Sequence, residues 1–205
     1  MRSTSRRIHE LTRKVGVVMR KALSEMTLQE LWQLFPIQLT EHKNCWKDWY
    51  LDEQAFLLSF LPKNVRMNHI GSTAIKEIWA KPIVDILLEA PLKDHQTIKG
   101  LLLKNGYLCM SQNKTSMDFN KGYTPDGFAE RVFHLHLREF GDHDELYFRD
   151  YMNEHPKIAR EYEKLKLSLW KPYEHDRDGY TEQKTEFVRK YTQKAIEQYG
   201  KEKYR

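Results

Sequence analysis

Apolar side chains recur at two different spacings along this chain, and each change of spacing marks a change of element. Trp46, Trp49, Tyr50, Leu57, Phe60 and Leu61 fall on one face at helical period, which predicts a helix over 44–61, ended by Pro62. Upstream, Thr27-Leu28-Gln29-Glu30 reads as a capping box that opens a short helix running to about Phe35, before Pro36. Val65, Met67 and His69 alternate with Arg66, Asn68 and Ile70, the period-two pattern of a strand. A Gly71-Ser72-Thr73 turn follows, and 74–80 is expected to form a helical turn. Ile83-Val84-Asp85-Ile86-Leu87-Leu88 is almost wholly apolar and predicts a central strand buried on both faces.

The second half follows the same logic. A helix is expected over 92–105, with Gly106 as its stop. Strands are expected at 107–110 and 115–119, then a Thr124-Pro125-Asp126-Gly127 turn, then a clearer strand over 131–138. In that strand Val132, His134 and His136 face one way and Phe133, Leu135 and Leu137 the other. Beyond Gly141 the pattern is helical, near 143–154, 156–170 and 181–199, with Pro156 at a favoured helix start. Strands in the middle flanked by helices, with a helical C-terminal part, make the fold class α+β with a mixed sheet.

Length and charge narrow the picture. A chain of 205 residues with 31% charged side chains is ample for one domain with a real core. No apolar run approaches the roughly 20 residues of a membrane span, and the first 25 residues lack the apolar stretch of a secretory signal. Cys45 and Cys109 are too few for a disulfide framework, so a reducing cytoplasm is the expected location. The net charge of +5 is local: residues 1–25 hold seven basic side chains against Glu10 and Glu25, and the remainder carries 27 of each sign. The neutral body argues against nucleic acid as a partner. The 1–25 segment reads either as a flexible basic arm or as an extension upstream of a natural start at Met26, and the second reading is favoured. Residues 26–205 are expected to form the domain.

Several residues carry candidate chemistry. Asp85 lies inside an apolar run, where an ionised carboxylate is costly unless paired or metal-bound. It either orders the core against a Lys or Arg, or projects from a strand end into a cleft and binds a metal. Gly71, Ser72 and Thr73 form a turn that lets backbone N–H groups and two hydroxyls approach a phosphate, although such turns are often only structural. His134 and His136 share one strand face and could reach a single metal or anion, with His69 and Asp85 as further ligand candidates, or be ordinary half-buried histidines. Lys81, just before the Asp85 strand, could meet an anion at its mouth, and Arg149, Lys164, Lys166 and Lys184 offer further cations, unless they simply solvate their helices. Tyr162, Tyr173, Tyr180 and Tyr191 are expected to fill the core rather than frame a pocket.

Taken in order, His69-Ile70-Gly71-Ser72-Thr73-Ala74-Ile75, Ala80-Lys81-Pro82-Ile83-Val84-Asp85-Ile86, Gly106-Tyr107, His134-Leu135-His136, Phe148-Arg149-Asp150-Tyr151-Met152, His155-Pro156, Tyr162 to Lys166, and Tyr180 with Lys184 resemble the motifs of the GrpB family. The resemblance spans about Leu39 to Tyr191. It implies a nucleotidyltransferase-like fold and a nucleotide or other phosphate-bearing ligand. Family members fused to dephospho-coenzyme A kinase point toward nucleotide or coenzyme A metabolism. One implied activity is metal-dependent nucleotidyl or phosphoryl transfer, with Asp85 catalytic, a divalent cation on Asp85, His134 and His136, and phosphates on Gly71, Ser72, Thr73, Lys81, Arg149, Lys166 and Lys184. The alternative is a module that binds a nucleotide or coenzyme A without chemistry. The sequence departs from the nucleotidyltransferase pattern at Ile83, where the first acid of a metal-binding pair is expected, and at His134 and His136, where a third acid is expected. Three carboxylates for two metals are therefore not available, and a histidine-bearing site favours a softer metal than magnesium.

Overall fold

Residues 21–204 are described by the computed structural model. Helix α1 (Leu28–Leu34) and helix α2 (Cys45–Leu58) precede strand β1 (Arg66–Ile70). Strand β2 (Val84–Glu89) leads through a short 3-10 turn to helix α3 (His95–Lys104), and strands β3 (Leu108–Gln112), β4 (Met117–Thr124) and β5 (Gly127–Arg138) follow. Helices α4 (Asp144–Glu154), α5 (Pro156–Trp170) and α6 (Arg177–Tyr199) complete the chain. The five strands form one mixed sheet in the order β1-β2-β5-β4-β3, with β2 parallel to β5 and every other pair antiparallel. The fold is α+β, as the pattern predicts. Among the described residues no helix is long and apolar enough to cross a membrane.

The register decides which side chains meet. Val84, Ile86 and Leu88 of β2 pair in parallel with Phe133, Leu135 and Leu137 of β5, and all six face α2 and α3. There they bury against Trp46, Leu57, Ile98 and Leu102. Side chains alternate along a strand, so Asp85, His134 and His136 are thrown onto the opposite face. Asp118 and Asn120 of β4 lie opposite His136 and His134 and join them. That second face is covered by the C-terminal helices, which share their own core of Tyr147, Met152, Tyr162 and Tyr191.

Two expectations are corrected. Residues 74–80 are not a helical turn: only Ser72–Ala74 make one 3-10 turn, and Glu77 takes a positive φ of 59°. The backbone N–H groups here find partners outside the segment, so no helix is needed to satisfy them. Lys76 N donates to Asn153 Oδ1 at 3.0 Å, Trp79 N to Glu163 Oε1 at 2.8 Å, and Ala80 forms a two-way antiparallel bridge with Thr40. The strand expected over 131–138 starts earlier, at Gly127, because β4 and β5 form a hairpin joined by Pro125 and Asp126. The ladder shifts between Lys121 and Tyr123, where Gly122 has a φ of 90°. A Cβ there would overlap the Arg131 carbonyl. This irregularity turns Tyr123 onto the His134 face, although Lys121, two residues away, faces Glu53 on the other.

Candidate functional site

The site begins at the junction of β1 and β2. Ile70 pairs with Asp85, and Gly71 follows at φ 72° and ψ −171°, a conformation open essentially to glycine alone. A Cβ on Gly71 would overlap the Asp85 carboxylate, so the turn and the acid are pressed together. Ser72 lines the cleft against the Tyr162 phenol. Thr73 does not. Its hydroxyl donates to Ile83 O at 3.2 Å and therefore accepts from His69 Nε2 at 2.9 Å. His69 stacks on Tyr50 with ring centroids 5.0 Å apart, and burial lowers its pKa to about 4. Thr73 and His69 thus brace the turn from behind, and the structure does not bring them to the cleft as ligands. Arg149 is likewise elsewhere, donating to His69 O at 2.9 Å and to Asp150 at 2.6 Å.

Asp85, His134 and His136 do meet, but as partners of one another. Arg177 Nη2 lies 3.0 Å from His134 Nε2, and an arginine can only donate, so Nε2 is the acceptor. Nδ1 then carries the proton and donates to Asp85 Oδ1 at 3.1 Å. The Tyr123 hydroxyl also reaches Nε2, at 2.9 Å. Burial, with the charges of Arg177 and Lys81, pulls His134 down to about 4 and keeps it neutral. His136 is the opposite case. Its Nδ1 lies 2.9 Å from Asp118 Oδ1, and its Nε2 is at ion-pair distance, 3.7 Å, from Asp85 Oδ1. Burial opposes its charge, yet the two carboxylates outweigh burial and lift it to about 9. Burial also works against the charge of Asp85, but hydrogen bonds and charge from the two histidines hold its carboxyl well below the usual range. Asp118 is held down in the same way by His136, Ser111 and Arg138.

Cations converge on this group from three directions. Lys81 arrives from the loop before β2, Lys166 from α5, and Lys184 with Arg177 from α6. Lys81 Nζ and Lys184 Nζ stand 5.3 and 4.3 Å from the centroid of the Tyr180 ring. Lys166 Nζ donates to Trp79 O and lies 4.9 Å from the Tyr162 centroid. Burial first, then mutual repulsion, lowers Lys81 and Lys166 to about 7; burial and Arg177 lower Lys184 to about 8. Tyr180 is fully buried, lines the same cleft, and its hydroxyl has no hydrogen-bond partner among the described residues. Tyr162 and Tyr180 were expected as core fillers; they are buried and also form walls of the cleft. The cleft has a volume of about 1200 Å³ and extends along α6.

Four of these residues lie outside the sequence-based candidate set: Arg177, Asp118, Tyr123 and Arg138. Asp118 carried a usable signal, because alternation within the strand expected over 115–119 gives it one face. Arg177 carried a weaker one, since Asp176 caps the helix by accepting from Gly179 N at 2.9 Å, so that the helix starts at Arg177, four residues before the expected start. Tyr123 depends on the irregularity at Gly122 and had no local signal.

The donor set bears on the implied metal. Ile83, two residues before Asp85, lines the cleft with an apolar side chain. Both nitrogens of His134 are engaged, and those of His136 face carboxylates. Among the described residues no group of three or more His, Cys, Asp or Glu side chains is arranged to hold a metal ion. A pair of divalent cations requires several oxygen ligands each, and these residues do not fit one.

A mixed-sheet protein with a Gly-Ser turn pressed onto a strand carboxylate is the class this geometry defines. Residues 36–194 match the family model described as GrpB protein, and the chain belongs to that family. It is 34% identical over 157 residues to the glutamate-rich protein GrpB of Alkalihalophilus pseudofirmus, a match covering 73% of this chain and 90% of that protein. It is 29% identical over 170 residues to the UPF0157 protein YqkA of Bacillus subtilis, covering 79% of this chain and 49% of that protein. The chain thus spans about half the length of this second relative. The crystal structure of the conserved protein GrpB from Enterococcus faecalis superposes with a TM-score of 0.69 at 27% identity, covering 79% of this chain and 99% of that one.

Proposed function

We propose that the cleft binds a small molecule through its phosphates, a nucleotide or coenzyme A being the class that the family resemblance implies. The observation that carries this reading is the convergence of Lys81, Lys166, Lys184 and Arg177 around the single carboxylate of Asp85. Lysines are seldom withdrawn from water unless paired, and here Lys166 is buried, Lys81 and Lys184 are half-buried, and the acids acting on them are Asp85 and Glu163, the second already paired with Arg160. A phosphate would supply the missing counter-charge. Transfer chemistry through divalent cations is the reading that the donor set supports least, and binding is the better supported of the two.

A thermal-shift and calorimetric series tests this. ATP, ADP, coenzyme A and pyrophosphate should raise the melting temperature, and adenosine should not. A ligand at one hundred times its Kd adds about 2.7 kcal/mol to stability. Lys184→Met should leave the melting temperature unchanged or higher, because a half-buried charge beside Arg177 is removed, and lower the affinity about tenfold, the scale of one charge-assisted hydrogen bond. If no phosphate-bearing compound shifts the protein, the reading is wrong.

A further inference from the structure

We infer that this cleft takes a di- or triphosphate group and neutralises it with the chain's own cations, without a divalent metal. The inference rests on the phosphate-binding reading above and adds to it the charge class of the ligand and the means of compensation. Carboxylate oxygen is what a divalent cation would need, and very little of it is free. Asp85 Oδ1 receives His134 Nδ1–H and faces His136, which leaves Oδ2 beside Gly71. Asp118, the other acid on this face, is consumed: Oδ1 takes His136 and Arg138, and Oδ2 takes the Ser111 hydroxyl at 2.6 Å. Ile83 contributes only a side chain that is 6% exposed and apolar.

The cations are already built into the protein. Lys81, Lys166 and Lys184 come from three separate elements and meet beside Tyr162 and Tyr180, with Arg177 behind them. Asp144, Glu145, Glu186 and Glu197 also line the cleft, but among the described residues none joins Asp85 in a group arranged to hold a metal, so a divalent ion beside Asp85 would meet three lysines with one carboxylate oxygen to hold it. A phosphate chain meets the reverse. Glu163, which also faces Lys166, is already paired with Arg160 at 2.9 Å. Once protonated around a bound anion, the three lysines and Arg177 exceed Asp85 by three charges, and two or three linked phosphates balance that excess better than a single phosphate of about −1.5 to −2.

Titration calorimetry of the full chain with inorganic phosphate, pyrophosphate and tripolyphosphate tests this, first in EDTA and then in Mg²⁺, Mn²⁺ or Zn²⁺. Tripolyphosphate and pyrophosphate should bind in EDTA at least tenfold more tightly than inorganic phosphate. Mg²⁺ should leave that affinity unchanged or weaken it by competing for the probe. Binding that appears only with a metal would overturn the inference while leaving the phosphate-binding reading intact. Absence of binding under every condition would overturn both. Equal affinity for all three probes would overturn the ligand class. Asp85→Asn supplies an independent readout: in EDTA its affinity for tripolyphosphate should be retained or raised, because a competing negative charge is gone. A tenfold loss confined to metal-containing buffer would instead assign Asp85 to a metal.

Discussion

Two glycines show how differently one residue type can be used. Gly100 lies in α3 with nothing within 4 Å of the position a Cβ would take. Gly71 sits at a positive φ with the Asp85 carboxylate where its Cβ would be. Gly100→Ala should therefore stabilise the protein by about 0.5–1 kcal/mol, the usual gain of a helix interior. Gly71→Ala should cost about 1–3 kcal/mol in backbone strain alone, and more from the overlap. It must also push Asp85 away from His134 and β1 away from β2. Phosphate affinity should fall by an order of magnitude even at temperatures where the variant remains folded. Melting curves of the two variants, recorded side by side, check this. If Gly71→Ala melted like Gly100→Ala, the close approach on which the site is built would be wrong.

At the scale of elements, what the sequence made legible follows the range of the forces involved. Helix α5 spans Pro156–Trp170 as its periodicity and its leading proline predict. The Thr27 capping box forms with both reciprocal bonds, Glu30 N to Thr27 Oγ1 at 3.2 Å and Thr27 N to Glu30 Oε2 at 2.6 Å. These signals are local, so they could be read. The turned, non-helical path of 75–80 is fixed by Asn153, Glu163 and Thr40, which lie far away in sequence, and no window around it carries that information. Of the candidate cleft, Asp85, Ser72, His134, His136 and the three lysines were legible; Thr73 was not, because a turn motif does not reveal which way its side chains point, and neither were His69 and Arg149, because the neighbours that a strand or helix face meets are set by distant elements. Residues 1–20, most of the basic arm, lie outside the described residues. Two caps give a matched prediction here. Thr27→Ala and Asp176→Ala each remove a capping acceptor and should each cost about 1 kcal/mol. Only Asp176→Ala should also weaken phosphate binding, severalfold, because α6 carries Arg177 in its first turn and Lys184 two turns on. Equal affinities for the two variants would show that α6 does not position the site.

For the whole molecule, composition concealed the electrostatics that matter. Beyond residue 25 the chain carries equal numbers of acids and bases, yet folding gathers Lys81, Lys166 and Lys184 into one cleft, where the acids acting on them are Asp85 and Glu163, the second already paired with Arg160. The consequence is a pH dependence of definite sign. Burial lowers these lysines from an ordinary 10.5 to about 7, 7 and 8. Lys81 is further discharged by Lys184, Arg177 and Lys166 and supported by Asp85; Lys184 faces Asp85 and Arg177; Lys166 faces Lys184 and Glu163. Between about pH 7 and 10.5 the unfolded chain therefore holds more protons at these positions than the folded one, and their contribution to stability rises with pH across that window. Anion binding runs the other way, since only the protonated lysines attract phosphate. A phosphate monoester completes its own ionisation near pH 6, so above pH 7 the ligand changes little while the lysines discharge. Affinity for a di- or triphosphate should be greatest near pH 7 and fall more than tenfold by pH 9. Binding at pH 8 should take up protons, which calorimetry in buffers of different ionisation heat detects directly. Lys81→Met and Lys166→Met should each bind more weakly at pH 7 and show a shallower decline toward pH 9. An affinity that stays flat or rises between pH 7 and 9 would mean that these lysines do not face the phosphates.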